Sequence, residues 1–138
     1  MADFFQWNPK TLSVSVPAMD DAHQGIIRRM NALHAAHVAK ADRAKLDGLL
    51  RDLAGYSAQH FADEEAFMAK VGYPDLDSHK RIHQKLLGRV GEHVAEFEKT
   101  GQLTDQLFSF LSFWLSSHIQ GIDHKYGEHA KKSGAKAR

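Results

Sequence analysis

The stretch DSHKRIH, residues 77–83, sets two imidazoles, His79 and His83, four positions apart. On a helix that spacing puts both rings on one face, and two neutral imidazoles on one face can bind a single transition-metal ion. HFADE, residues 60–64, repeats the spacing with an imidazole and a carboxylate, His60 and Glu64. Two more segments carry the same donor types: MDDAHQ with His23, and SHIQGID with His118 and Asp123. The chain holds ten histidines in 138 residues and no cysteine. Metal chemistry here must therefore rest on nitrogen and oxygen donors, and thiolate catalysis, iron–sulfur clusters and disulfides are excluded.

Whether these donors can meet depends on the elements that carry them. Apolar residues recur at helical spacing in four segments. The first runs from about 19 to 40, with Asp20 as the expected N-cap and Met19, Ile26, Ile27, Met30 and Val38 on its stripe. The second covers about 43 to 71 and ends at Gly72 and Pro74. The third covers about 75 to 99 and ends at Gly101, and the fourth runs from Thr104 to about Tyr126. Short connections make neighbouring helices antiparallel, so the expected fold is all-α: an up-down-up-down four-helix bundle. Residues 1–18 form an extended N-terminal arm packed outside it with Trp7 as anchor, 19–127 the bundle, and 128–138 a basic tail, together one domain.

On helical wheels His79 and His83 fall in the stripe of Ile82, Leu86, Val90 and Phe97, while His60 and Glu64 share that of Leu49, Leu53, Tyr56 and Phe67. His23 lies with Ile26, Ile27 and Met30, and His118 continues the line of Leu107, Leu111 and Trp114. A single histidine on an apolar face is ordinarily a hydrogen-bonded core residue. Five imidazoles and a carboxylate buried without partners would cost several kcal/mol per group, roughly, more than the net stability of such a domain. A metal ion satisfies them directly. The five-residue spacing from His118 to Asp123 does not fit an ideal helix, which turns the two side chains about 140° apart; it predicts a π-bulge near Gly121.

Composition removes other function classes. A net charge of +1 offers no polyanion-binding surface, and the only basic cluster is the terminal KKSGAKAR, so no nucleic-acid partner is expected. No segment approaches the roughly 20 apolar residues of a membrane span. A cytoplasmic location, with no fused output module, is the expectation.

Together these residues resemble the hemerythrin family, specifically its single-domain bacterial type. The resemblance rests on MDDAHQ, HFADEEAFM, GYPDLDSHKRIH and WLSSHIQGID and covers about residues 7 to 126. It implies a non-haem di-iron centre, oxo- or hydroxo-bridged, that binds O2 reversibly for transport, storage or delivery, without being an enzyme. By the family pattern His79, His83 and His118 hold one iron, His23 and His60 the other, and Glu64 and Asp123 bridge them. If each iron takes six ligands, this set and the bridging oxygen leave one free corner, on the iron with two histidines. Ile26, Ile27, Phe61, Trp114 and Ile119 are candidates to line a dry pocket there.

Two alternatives remain at this stage. Di-iron oxidases and peroxidase-like enzymes also occupy four-helix bundles, but those rely on paired Glu-x-x-His motifs that the core stripes lack. An oxygen sensor acting through a separate partner is the other. Of the remaining histidines, His124 and His129 are expected in helix-end or solvated roles. His34, His37 and His93 fall near the core stripes, His37 and His93 roughly 20 Å from the donors. These last two are expected to form a polar cluster at the far end, as a water-lined route or a second weak metal site.

Overall fold

A computed structural model of the protein describes residues 4–132. One helical turn, α1 (Pro9–Leu12), precedes three long helices: α2 (Pro17–Val38), α3 (Arg43–Lys70) and α4 (Leu76–Thr100). The fourth rod is built of α5 (Asp105–Ser117), a π-helical segment (His118–Asp123) and α6 (His124–Lys132). The described residues contain no strand. The rods form the up-down-up-down bundle expected from the short connections, and no helix among the described residues is long and apolar enough to cross a membrane.

Local chemistry sets most of the boundaries. The Asp42 side chain accepts the Lys45 N–H at 2.9 Å to start α3, and Thr104 accepts that of Leu107 at 3.1 Å to start α5, each supplying a partner to an otherwise unpaired amide. Gly101 closes α4 at φ 73°, the left-handed conformation that glycine adopts without a Cβ penalty. The start of the first long helix differs from expectation. Pro17 begins it, three residues before Asp20, because proline has no N–H to satisfy and a φ preset for a helix. Asp20 is not the N-cap; its carboxylate instead accepts the Val14 N–H at 2.8 Å and the Ser13 hydroxyl at 2.6 Å.

Those two bonds belong to the arm, which docks deeper than an outer strap would. Leu12, Val14 and Val16 are buried in the main core, while Trp7 is only half-buried against it. Burying the three side chains returns about 1.5–3 kcal/mol each, comparable with an ordering cost of about 1–2 kcal/mol for each residue of the segment. The bonds to Asp20 add to that burial. The Val14 carbonyl rests on Gly127 of α6, where a Cβ would lie 2.0 Å from the carbonyl oxygen. Any larger residue at 127 would push the arm off the fourth rod.

That rod also extends beyond Tyr126, where the apolar pattern ended, to Lys132. Tyr126 and Ala130 are buried, and the His129 Nε2–H donates to the Val71 carbonyl at the end of α3, 2.9 Å away. His129 thus holds a helix end, a role that cations and N–H donors suit. The remainder of the basic tail, residues 133–138, lies outside the described residues, as do residues 1–3.

Candidate metal centre

His23 from α2, His60 and Glu64 from α3, His79 and His83 from α4, and His118 and Asp123 from the π segment are all buried, none more than 6 % exposed. The two four-residue spacings lie on regular helix, but His118 and Asp123 do not. The chain is π-helical over His118–Asp123, as the five-residue spacing predicts. A wider turn brings a side chain five residues on back to the same face.

The donor atoms fall into two overlapping groups. Glu64, His79, His83, His118 and Asp123 place one donor atom each within 4.8 Å of one another; His23, His60 and Glu64 do the same. The carboxylates divide their oxygens between the groups. Oε2 of Glu64 lies 3.3 Å from the Nε2 atoms of both His23 and His60, while Oε1 lies 3.2 Å from Nε2 of His83. Oδ1 of Asp123 lies 3.0 Å from Nε2 of His79 and 3.1 Å from that of His118, and Oδ2 lies 3.2 Å from Nε2 of His23. Every imidazole presents Nε2, and each carboxylate faces both ways.

These contacts leave the protein's own hydrogen bonding incomplete. Nε2 of His60, His79, His83 and His118, Oε1 of Glu64 and both oxygens of Asp123 are buried without a hydrogen-bond partner, and such groups are destabilising unless something else satisfies them. Ions about 2.1 Å from each donor at right-angled positions separate neighbouring donors by about 3.0 Å, close to the spacings seen. Imidazole nitrogen with carboxylate oxygen suits borderline transition ions such as iron. The residues fit a pair of such ions.

The electrostatics point the same way. Burial works against a charged His23, yet the adjoining Asp123 and Glu64 carboxylates outweigh it and push the imidazole up to about 10. Burial also opposes ionisation of Glu64 and Asp123, but the surrounding imidazoles hold both well below the usual carboxylate range. The pocket holds two anions and favours positive charge beside them.

Apolar and aromatic side chains close it. Phe61 stacks on His83 with centroids 4.0 Å apart and an 8° angle, and meets Trp114 edge-on at 5.8 Å. Ile26, Ile27 and Ile119 are buried in the same core.

Two further residues contact the centre without belonging to the spaced donor motifs. The Tyr126 hydroxyl donates to Oε2 of Glu64 at 2.6 Å, fully buried; its position three residues after Asp123, on the same face, was the available signal. The second is Glu65, whose Oε2 lies 2.9 Å from Nδ1 of His83. No sequence signal marks it, because a wheel turns Glu65 away from Glu64 and only the neighbouring helix gives it a partner.

The far-end histidines do not form a comparable group. The His34 ring stacks on Phe4 at 4.5 Å and meets Phe108 edge-on at 4.9 Å. His37 lies 5.1 Å from Phe108, and His93 stacks 5.3 Å from Phe110. Among the described residues, no cluster of three or more ligating side chains includes any of them.

Fold and site together define a four-helix bundle that carries a buried histidine–carboxylate dinuclear metal centre. Residues 14–130 match the hemerythrin HHE cation binding domain. The chain belongs to the hemerythrin family. It is 34% identical to a bacteriohemerythrin of Stenotrophomonas maltophilia over 120 residues, 87% of this chain and 78% of that one. It is 31% identical to a bacteriohemerythrin of Methylococcus capsulatus, over 88% of this chain and 92% of that one. A crystal structure of wild-type hemerythrin superposes with a TM-score of 0.84 at 30% identity, covering 90% of this chain and 95% of that one.

Proposed function

We propose that the protein is an oxygen carrier: His79, His83 and His118 hold one iron, His23 and His60 the second, and Glu64 and Asp123 bridge them. The observation that carries this assignment is the division of carboxylate oxygens, one toward the three-histidine group and one toward the two-histidine group, in both Glu64 and Asp123. A bound iron pair supplies the reversible binding of O2 that defines the family's function. The remaining work belongs to the chain. Two carboxylate anions would offset the charge of the ions, and the chain offers three imidazoles at one position against two at the other, so the two-histidine position has the smaller share of protein donors.

Tyr126 contributes in a different way. Burial, with Glu64 and Asp123 close by, holds its hydroxyl well above its ordinary value, so the proton stays on the phenol and the bond to Glu64 persists. One Glu64 oxygen is thereby fixed in direction. Phe61 covers a face of His83 and meets Trp114, Ile26, Ile27 and Ile119 belong to the same buried core, and such apolar surroundings would keep water and proton donors away from a ligand bound there. This supports a carrier rather than an enzyme. The same reading takes the chain as a single hemerythrin-like domain, its bundle running from Pro17 to Lys132.

The test is iron content together with absorption spectra under air and under argon. A carrier has two irons per chain and a charge-transfer band that forms in air and disappears on degassing. Steady O2 consumption in the presence of a reductant, with no reversible band, would overturn the proposal in favour of an oxidase.

A further inference from the structure

Glu64 and Glu65 are consecutive residues of α3, and one carboxylate oxygen of each lies beside a nitrogen of the same ring, that of Glu65 within hydrogen-bond reach. Oε1 of Glu64 lies 3.2 Å from Nε2 of His83, and Oε2 of Glu65 lies 2.9 Å from its Nδ1. Phe61, from the same helix, covers a face of that ring. No other imidazole of the centre is gripped in this way. Nδ1 of His23, of His60 and of His79 is buried and meets no hydrogen-bonding group of the protein.

We infer that Glu65 is a positioning residue for the iron held by His79, His83 and His118, acting through His83. This inference rests on the di-iron reading. With Nε2 facing the metal position, the ring proton of neutral His83 must sit on Nδ1, where Glu65 accepts it. The carboxylate thus fixes both the tautomer and the ring angle. It also draws the Nδ1 proton toward itself, which enriches the ring in electrons and makes Nε2 a stronger donor. The effect falls on one side of the centre. The two-histidine side has no carboxylate at the Nδ1 atom of either His23 or His60, so the two iron positions differ in donor strength as well as in ligand count. Glu65 therefore favours the more oxidised state at the three-histidine position. Glu65 is 27% exposed, so solvent screening limits its influence, which belongs at the weaker end of the range for such partners.

The test compares wild type with Glu65→Gln and Glu65→Ala. Glutamine keeps the shape and an acceptor oxygen but removes the charge; alanine removes both. Three readouts are needed: iron affinity by competition with a chelator, the reduction midpoint of the iron-loaded protein, and denaturant unfolding of the metal-free protein. Glu65→Ala is expected to weaken iron binding by about 10-fold and to raise the midpoint. Glu65→Gln is expected to recover most of the affinity while leaving the midpoint raised. Metal-free stability of Glu65→Gln stays near wild type, which separates the effect from folding. Unchanged affinity and midpoint in both variants, with wild type binding two irons, overturns the positioning role alone. Wild type that binds no iron overturns the di-iron reading, and the inference with it.

Discussion

The two ends of the bundle use the same residue type to opposite effect. At the metal centre five imidazoles turn Nε2 toward two buried carboxylates and toward one another. At the far end His34, His37 and His93 each lie against a phenylalanine ring, Phe108 or Phe110. Histidines on core-facing stripes are common to both. What separates them is the acid: Glu64 and Asp123 are the buried carboxylates of the described core, and both stand at one end. A ring without an anion opposite it packs as an aromatic, and a ring with one becomes a donor awaiting a cation.

Removing the acids should therefore erase the difference. Glu64→Ala is expected to abolish stable iron loading, and His118→Ala to do the same, since each empties a position facing the other donors. Retention of two irons per chain in either variant, measured on purified protein, would count decisively against the assignment. Deleting Gly121 tests the geometry more sharply. One residue fewer converts the π turn to a regular helix with a four-residue spacing, which keeps the aspartate on the face of His118, so two irons per chain should be retained, and their loss would show that the π turn does more than restore the register.

Tyr126→Phe sharpens the comparison without breaking it. It deletes a buried hydrogen bond to a carboxylate, a loss of about 2 kcal/mol, readable as a lower denaturation midpoint with iron still bound. Changes at the far end should be smallest. His37→Leu and His93→Leu are expected to keep full iron content and to alter stability by about 1 kcal/mol or less. Burial, helped by the Arg89 charge, lowers the proton affinity of His93 below its ordinary value of 6.5. The unfolded chain then binds that proton more readily than the folded one, so stability falls as pH drops below 6.5. His93→Leu should lose less stability than wild type between pH 7.5 and pH 5.5.

The bundle and the gathering of the seven donors were legible because both follow from period. The stripes of Leu49, Leu53 and Tyr56 or of Leu107, Leu111 and Trp114 fix which way a helix faces, and His60 or His118 inherits that direction. Even the π segment was legible, since a five-residue gap between two inward donors admits few other solutions. Contacts made across elements were not. Asp20 reads as a cap by residue type, but Pro17 had already started the helix and the carboxylate was free to bind the arm. Glu65 reads as a solvent-facing acid until α4 sets His83 beside it. The far-end pair, His37 and His93, was drawn from the core stripes and axial height, and neither reveals that Phe108 and Phe110 stand against the rings.

The arm's carbonyl contact with Gly127 carries a consequence for the order of assembly. Asp123 and Tyr126 follow every other donor along the chain, while the segment that rests on their rod precedes them all. The donor set is gathered only once the fourth rod has docked, and proteolytic cutting of the arm between Val14 and Pro17 should loosen the grip of that rod on its cargo.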